Sequence, residues 1–302
     1  MDIALLKGLA IGAPTTHNGV TVFPVLGGAK VPDGISIGSE GITVSELESA
    51  EVPTLLVTNT TDLPILLLEG EVLEGGQQTR TLNVSVLVPA GTSLEVPVTC
   101  VEAGRWRGDR SFIRTRYNAS RQVRRAKHEG VFENVRRSSA YKMSDQRAVW
   151  GQVDLSLDMH SALSSTSSFE AAQAAAFEDD EERQQATEEL IKAGPADDQT
   201  GVVVAVGGKV VSAEVFGSPE LLKARWEQIV RSLMFESGLT DAADSTTADA
   251  EAFLQQLAEA EVVPAPGVGI GEERHLQSDD LVAQALVLDD ALVHASVFAR
   301  VG

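Results

Sequence analysis

The sequence contains few of the residues on which several classes of protein depend. Cys100 is the one cysteine among 302 residues, which excludes an intrachain disulfide and a cysteine-rich metal site. No apolar run reaches the roughly 20 residues of a membrane-spanning helix. The opening "MDIALLKGLAIGAP" has no basic segment before a long apolar stretch, so we expect no signal peptide. Together these absences predict a cytoplasmic protein with no membrane partner.

Basic residues are also in deficit, and they are unevenly placed. The chain has 24 Lys+Arg against 44 Asp+Glu, a net charge of −20 that disfavours nucleic acid and anionic membranes as partners. Residues 105–147 nevertheless carry 13 basic and 4 acidic side chains, whereas residues 151–200 carry 2 and 12. Two interpretations stay open. The stretches neutralise each other, within the fold or between subunits, or the basic stretch binds an anion.

Nucleic acid is disfavoured by aromatic content as well. The most basic segment, "RTRYNASRQVRRAKHEG", contains Tyr117 as its single aromatic residue. Proteins that bind single strands usually interleave several aromatic side chains with their cations, because each stacks on a base. We therefore expect no nucleic-acid partner.

The pattern of apolar runs predicts an α+β fold in three parts. Residues 1–104 contain short β-branched runs separated by Pro and Gly, which predict a β-rich unit, sandwich or barrel-like. Residues 105–199 are expected to form a basic and then acidic helical segment, made of short helices and loop up to residue 147. Residues 200–302 predict a hairpin, helices and a second hairpin. We expect the three parts to pack as one body.

A hairpin is predicted at "LEGEVLEGGQQTR", residues 68–80. Gly75-Gly76 suits a two-residue turn because glycine tolerates positive φ. Counting outward from that turn places Glu71 opposite Arg80, within reach of a cross-strand ion pair. Similar turns are predicted at Gly207-Gly208 and Asp289-Asp290.

The densest group of polar side chains surrounds this hairpin and the end of the strand "TSLEVPVTCVE". Glu71 and Glu102 are candidate catalytic carboxylates, since burial beside an arginine can shift a pKa into the range of a general base. An arginine can hold a phosphate and a tryptophan can stack on adenine. The alternative is structural, with Glu71–Arg80 and Glu102–Arg105 as ion pairs around a turn. The candidate ligand-binding residues are Glu69, Gln78, Arg80, Arg105 and Trp106.

The sequence gives little indication of a metal site or of a nucleophilic cysteine. The five histidines show no spacing typical of a metal site, so we expect no metal, and we expect no resident cofactor. Cys100 alternates with Val96 and Val98, which predicts a buried thiol, and no histidine lies close enough in sequence to activate it as a nucleophile.

Several motifs occur in a characteristic order: "LEGEVLEGGQQTR", "VPVTCVEAGRW", "SDQRAVW", "GKVVSAEVF", "GVGIGEERHL" and "LVHASVFA". In these the chain resembles the ARG and Rhodanese-Phosphatase-superfamily-associated protein domain family, from about residue 10 to 300. The family name records association with ADP-ribosylglycohydrolases, so the resemblance implies a link to ADP-ribose or NAD-derived nucleotides by association alone. The chain departs from the family at Gln77 and Thr79, where lysine and asparagine are usual, which puts in doubt any ligand role that needs a cation at 77.

Three functional hypotheses follow. The first is a cytoplasmic accessory or sensor domain that binds a small anionic ligand, an ADP-ribose or NAD-derived nucleotide. The second is a hydrolase of such a nucleotide with Glu71 or Glu102 as general base. The third is a structural subunit that assembles into homo-oligomers through its segregated charges. Whether the chain is an enzyme stays open at this point.

Overall fold

The computed structural model describes residues 8–28, 31, 34–49, 52–178, 180–241 and 243–300. The strands among them are β1 (Leu9–Ile11), β2 (Thr15–His17), β3 (Val20–Gly27), β4 (Ile42–Ser45), β5 (Thr54–Asn59), β6 (Ile65–Leu67), β7 (Glu71–Gly75), β8 (Arg80–Leu82), β9 (Val86–Val88), β10 (Ser93–Cys100), β11 (Ser111–Asn118), β12 (Gln199–Val206), β13 (Lys209–Phe216), β14 (Glu261–Pro266), β15 (Glu272–Gln277), β16 (Leu281–Leu288) and β17 (Ala291–Ala299). The α-helices are α1 (Arg121–Arg137), α2 (Gln146–Met159), α3 (Phe169–Glu178), α4 (Glu181–Ala193), α5 (Pro219–Met234) and α6 (Thr247–Gln255).

The chain divides into two compact units. The barrel unit consists of residues 33–184 and 266–270, and the sheet unit consists of residues 1–32, 185–265 and 271–302. These boundaries differ from the three consecutive segments expected from the sequence, because β3 pairs with β12 and so places β1, β2 and β3 in the sheet unit.

In the barrel unit, six strands close into a barrel in the order β10-β5-β4-β11-β7-β8. Closure pairs every strand on both sides and so removes exposed sheet edges. The β8–β10 register places Arg80 opposite Cys100 and Leu82 opposite Val98, and Leu73 of β7 is also opposite Arg80. Opposed residues share one face of a sheet, so this arginine and this thiol lie on the same face as buried aliphatic side chains.

The predicted register of the β7–β8 hairpin is wrong by two residues. Leu73, not Glu71, lies opposite Arg80, and residues 76–79 form a longer connection than the two-residue turn expected at Gly75-Gly76. A cross-strand pair between Glu71 and Arg80 is therefore excluded.

The longer turn has a physical cause in the segment that follows β10. The backbone N–H of Thr79 donates to Glu102 Oε2 at 3.1 Å, and the Nε2 of Gln78 donates to the carbonyl of Glu102 at 2.9 Å. These bonds hold the turn against the segment around Glu102. The turn residues therefore do not pair with each other across β7 and β8.

The expectation of short helices and loop over residues 105–147 is also wrong. The segment contains β11, which enters the barrel between β4 and β7, and the 17-residue helix α1. The Ser120 hydroxyl caps α1 by accepting from the N–H of Val123 at 3.4 Å. The buried face of α1 includes Arg124, Lys127 and His128. Because these inward-facing residues are polar, the sequence lacks the apolar periodicity from which a helix is predicted.

The sheet unit is built on one antiparallel sheet with the path β1-β3-β12-β13-β17-β16-β15-β14. The predicted hairpins at residues 207–208 and 289–290 are confirmed as β12–β13 and β16–β17. Ser218 caps α5 and Pro219 takes its first helical position. One sheet face carries the core of this unit, in which Phe23, Val203 and Phe253 are buried together.

The α+β class predicted from the sequence is confirmed, with a barrel in the β-rich half. None of the helices in the described part of the chain is long and apolar enough to cross a bilayer.

Candidate functional site

The barrel contains a buried guanidinium. Arg80 is 2% exposed, and its Nη1 donates to the Gln78 carbonyl at 3.0 Å, to Gln78 Oε1 at 3.2 Å and to Cys100 Sγ at 2.7 Å. Among the described residues Arg80 has no carboxylate partner, and its Nε has no hydrogen-bond partner. The barrel therefore holds a cation whose charge is not balanced by a direct ion pair.

Cys100 belongs to the same group as Arg80. Its thiol donates to Gln78 Oε1 at 2.8 Å, and burial raises the pKa of Cys100 to about 11 although the charge of Arg80 opposes the shift. The thiol is therefore protonated at neutral pH. The prediction of a buried thiol is confirmed, in surroundings more polar than its valine neighbours suggested.

Glu69 lies in a separate buried ion cluster formed with α1. Its Oε1 accepts from Arg124 Nε at 3.0 Å, and its Oε2 lies 2.6 Å from Lys127 Nζ and 3.0 Å from His128 Nε2. Burial raises the pKa of Glu69, but the charges of Arg124 and Lys127 outweigh burial and hold this pKa well below its usual value. Glu69 is thus ionised, and it forms ion pairs with Arg124 and Lys127, whose side chains are at most 3% exposed.

Glu71 is occupied by a different arginine from the one expected. Arg114 of β11 contacts both carboxylate oxygens of Glu71, with Nη2 to Oε2 at 3.1 Å. The backbone N–H of Leu68 also donates to Oε2, at 3.3 Å. Arginine–carboxylate pairs of this two-point kind are strong and geometrically specific. Glu71 is 1% exposed, so these contacts with Arg114 and Leu68 occupy its carboxylate within the barrel.

Glu102 accepts four hydrogen bonds at the end of β10. Its Oε2 accepts from the N–H and the hydroxyl of Thr79, both at 3.1 Å, and from Arg105 Nε at 2.9 Å, while Oε1 accepts from the Thr166 hydroxyl at 3.0 Å. Burial raises the pKa of Glu102, but these bonds from Thr79, Thr166 and Arg105 outweigh burial, so the net pKa is lowered. A carboxylate with a lowered pKa is a weak base.

Arg105 fastens the following loop, residues 104–110, to the hairpin turn. Its Nη1 donates to the carbonyl of Gly76 at 2.8 Å and its Nη2 to the carbonyl of Gly75 at 3.1 Å, in addition to the ion pair with Glu102 at 2.8 Å. The guanidinium fork thus joins three backbone and side-chain acceptors at fixed angles.

The loop also approaches the turn too closely for any side chain at Gly108. A Cβ on Gly108 would lie 1.9 Å from the carbonyl oxygen of Gly76, so the backbone contact requires glycine. Between these two anchors the loop presents Trp106, which is 59% exposed, and the exposed Arg107. The guanidinium of Arg107 makes no hydrogen bond or ion pair with the part of the chain that the structure describes.

A pair of carboxyl groups lies beside this loop. Glu170, at the start of α3, and Glu74 of β7 interact electrostatically. Burial together with the charges of Glu74 and Glu102 raises the pKa of Glu170. Trp106, Arg107, Glu74 and Glu170 together form what we call the loop site.

Four of the predicted site residues are linked by direct contacts. Arg80 bonds to Gln78, Gln78 bonds to the carbonyl of Glu102, and Glu102 pairs with Arg105, next to Trp106 in sequence. Glu69 and Glu71 are instead held by their own cations. Sequence reasoning missed Arg114, Arg124, Lys127 and Glu170 as partners, because each lies tens of residues away in sequence from the carboxylate that it affects.

The comparison with protein-family models gives one result. The model of the ARG and Rhodanese-Phosphatase-superfamily-associated Protein domain matches residues 8–298. The chain belongs to this family. Since the match extends over segments of both units, the ARG and Rhodanese-Phosphatase-superfamily-associated Protein domain includes the barrel as well as the sheet. No curated protein and no solved structure matched the chain.

Within the described ranges, no three or more His, Cys, Asp and Glu side chains are grouped so that they could hold a metal ion.

Proposed function

We propose that the chain is an accessory domain that binds a small anionic nucleotide, of the ADP-ribose or NAD-derived class, at the loop site. Trp106 stacks on the adenine and Arg107 pairs with the phosphates. The observation that carries the proposal is the exposed indole of Trp106 on a loop that Arg105 and Gly108 hold in place. A large aromatic side chain presented by a fixed backbone loses little conformational freedom on binding.

The charge around the loop supports an anionic ligand. The carboxylate of Glu102 is already neutralised by Arg105, whereas Arg107 has no acidic partner among the described residues. A guanidinium in this state gains a charge-assisted hydrogen bond when a phosphate arrives. Buried Arg80 adds a positive potential behind the turn, since no carboxylate pairs with it directly in the described part of the chain.

The carboxyl pair supports a ligand that also carries hydroxyl groups. Glu74 and Glu170 are exposed and interact electrostatically, and Glu170 also lies within electrostatic reach of Arg105. Carboxylate oxygens accept hydrogen bonds from adjacent ribose hydroxyls in many nucleotide sites. ADP-ribose presents an adenine, two phosphates and ribose hydroxyls, and so matches all three parts of the loop site.

Titration calorimetry with ADP-ribose tests the proposal. We expect saturable heat with the wild type and an affinity about tenfold or more lower for Arg107→Gln, because one charge-assisted hydrogen bond is lost. Arg137→Gln, at an exposed arginine outside the loop site, is the matched control and should bind as the wild type does. The absence of saturable heat with ADP-ribose and NAD would contradict the proposal.

A second candidate, hydrolysis of the bound nucleotide, is favoured by one specific observation. Burial and the neighbouring charge of Glu74 raise the pKa of Glu170, and hydrolases use a carboxyl group with a raised pKa as a general acid beside a second carboxyl group. Glu71 and Glu102 are poorer candidates for the base, because each is already saturated by donors.

Product analysis separates binding from hydrolysis. Incubation with NAD or an ADP-ribosylated arginine, followed by chromatography, should give ADP-ribose if the chain is a hydrolase. Glu170→Gln should then abolish turnover even at nucleotide concentrations that saturate the variant, while Glu133→Gln serves as the control at a carboxylate outside the loop site. No product from the wild type, together with binding, would assign the loop site to recognition alone.

A further inference from the structure

The sheet unit contains a cavity that the proposed function does not use. It has a volume of about 260 Å³ and lies between the β2–β3 hairpin, α5 and the C-terminal end of α4. Apolar residues make up most of its lining, together with Thr15, His17, Gln199 and Trp226. None of them carries a carboxylate, an ammonium or a guanidinium, so the cavity offers no counter-charge to an ionic ligand.

Two of the polar groups in the cavity wall are already satisfied. The Trp226 Nε1 donates to the carbonyl of Leu190 at 3.0 Å, which fixes the indole ring against the end of α4. The Gln199 amide donates to the carbonyl of Gly201 at 2.9 Å and accepts from the N–H of Ala196 at 3.1 Å. Both side chains can therefore make van der Waals contact with a ligand, but their polar groups are already hydrogen-bonded within the protein.

His17 differs from these two. Its Nε2 atom is buried and has no hydrogen-bond partner among the described residues. A buried polar atom without a partner loses the free energy of its hydrogen bond to water, and a ligand that supplies the partner recovers it. The cavity thus combines an apolar wall, one indole face and the hydrogen-bonding position at His17, together with the hydroxyl-bearing side chain of Thr15.

We propose that this cavity binds a small, uncharged, planar aromatic molecule with one hydroxyl or N–H group, which bonds to His17 Nε2 while its ring lies against Trp226. The volume corresponds to about nine water molecules at ~30 Å³ each, enough for a single- or double-ring compound and too small for a helix or a nucleotide. Apolar cavities of smaller size bind benzene when they are engineered into proteins.

Phenol and benzene are suitable probes because they differ only in the hydroxyl group. The hydroxyl both donates and accepts, so it can pair with either tautomer of His17. The chain has three tryptophans, Trp106, Trp150 and Trp226, and hence three indole N–H signals in a nitrogen–proton correlation spectrum. We expect phenol to shift the Trp226 signal in a saturable way and to bind about fivefold more tightly than benzene, as one hydrogen bond predicts.

Two variants and a matched control locate the site. Val22→Phe places a ring in the cavity and should abolish the phenol-dependent shift. Leu26→Phe introduces the same side chain on the same strand and face, at a residue that does not line the cavity, and should leave binding unchanged. His17→Phe retains a ring but removes the nitrogen, and should equalise the affinities for phenol and benzene.

Each outcome decides the proposal. Saturable shifts of Trp226 that Val22→Phe removes and Leu26→Phe preserves would support it, and loss of the phenol preference in His17→Phe would support the assigned hydrogen bond. An unmoved Trp226 signal at saturating phenol, shifts confined to Trp106 or Trp150, or an equal loss of binding in both phenylalanine variants would overturn it. The loop site is in the barrel unit, so a negative result for phenol binding in the sheet unit would not contradict nucleotide binding at the loop site.

Discussion

The Nζ of Lys127 lies 2.6 Å from Oε2 of Glu69, and both side chains are almost completely buried in the barrel unit. Arg124 joins the same carboxylate from one turn away on α1. A single acidic residue thus faces two buried cations of one helix, and the segment before β7 is tied to α1 by charge. Buried pairs of this kind fix geometry more than they add stability, because desolvation offsets much of the attraction.

Removal of the Glu69 charge should destabilise the protein strongly. We expect Glu69→Gln to lower the free energy of unfolding by about 3–5 kcal/mol, since the carboxylate that both buried cations contact is lost. Denaturant titration followed by circular dichroism measures this. Glu133→Gln is the control, because Glu133 and Arg136 form an exposed pair that contributes at most about 1 kcal/mol. Equal stabilities of the two variants would contradict the buried cluster.

The same cluster predicts a dependence of stability on pH. Burial lowers the pKa of His128 to about 4, against the attraction of Glu69, whereas an unfolded histidine titrates near 6.5. Between these values the unfolded chain binds the proton more readily, so stability should fall as the pH drops from 6.5 towards 4, by up to about 3 kcal/mol. His128→Gln should show a shallower decline over this range. A wild-type stability that stays flat there would refute the assignment.

Replacement of Gly108 tests how the loop is held. Gly108→Ala places a Cβ against the Gly76 carbonyl, so we expect loss of about 0.5–3 kcal/mol of stability and at least a tenfold loss in ADP-ribose affinity. Gly151→Ala is the matched control, because nothing lies within 4 Å of its Cβ inside α2. There alanine should stabilise by about 0.5–1 kcal/mol and leave binding alone. Thermal melts and calorimetry measure both, and identical behaviour of the variants would argue against a fixed loop.

Cys100 should be unreactive towards thiol reagents in the folded protein. With a pKa of about 11, only about one thiol in a thousand is ionised at pH 8, and the side chain is fully buried. Reaction with a thiol-specific disulfide reagent should therefore be slow in buffer and rapid in denaturant. Stoichiometric labelling of the native protein within minutes would show that the thiol is accessible.

The sequence predicted the parts of the fold that depend on local chemistry. The Gly207-Gly208 and Asp289-Asp290 turns were recognised because tight hairpins need positive φ, and both aspartates adopt it. Val149, Val153 and Leu157 recur in the sequence at helical spacing, and all three are buried on α2.

The features that the sequence did not predict depend on contacts between distant segments. The pairing of Glu71 with Arg114 spans 43 residues, and β3 pairs with β12 across about 180 residues. Strand β11 escaped detection because Arg114 and Arg116 interrupt its apolar pattern. At the site, the Glu102–Arg105 ion pair could be predicted because the two residues are only three positions apart. The proximity of Glu170 to Glu74 and Glu102 could not be predicted, because it depends on where the fold places the start of α3.

Fluorescence from Trp106 alone tests nucleotide binding at the loop site most directly. In a Trp150→Phe/Trp226→Phe double variant, the emission comes from the exposed indole of the loop site. The proposal predicts saturable quenching as ADP-ribose is added, with a midpoint equal to the calorimetric Kd of the wild type, because adenine stacks on this ring. Emission that stays unchanged at nucleotide concentrations that saturate the calorimetric signal would contradict it.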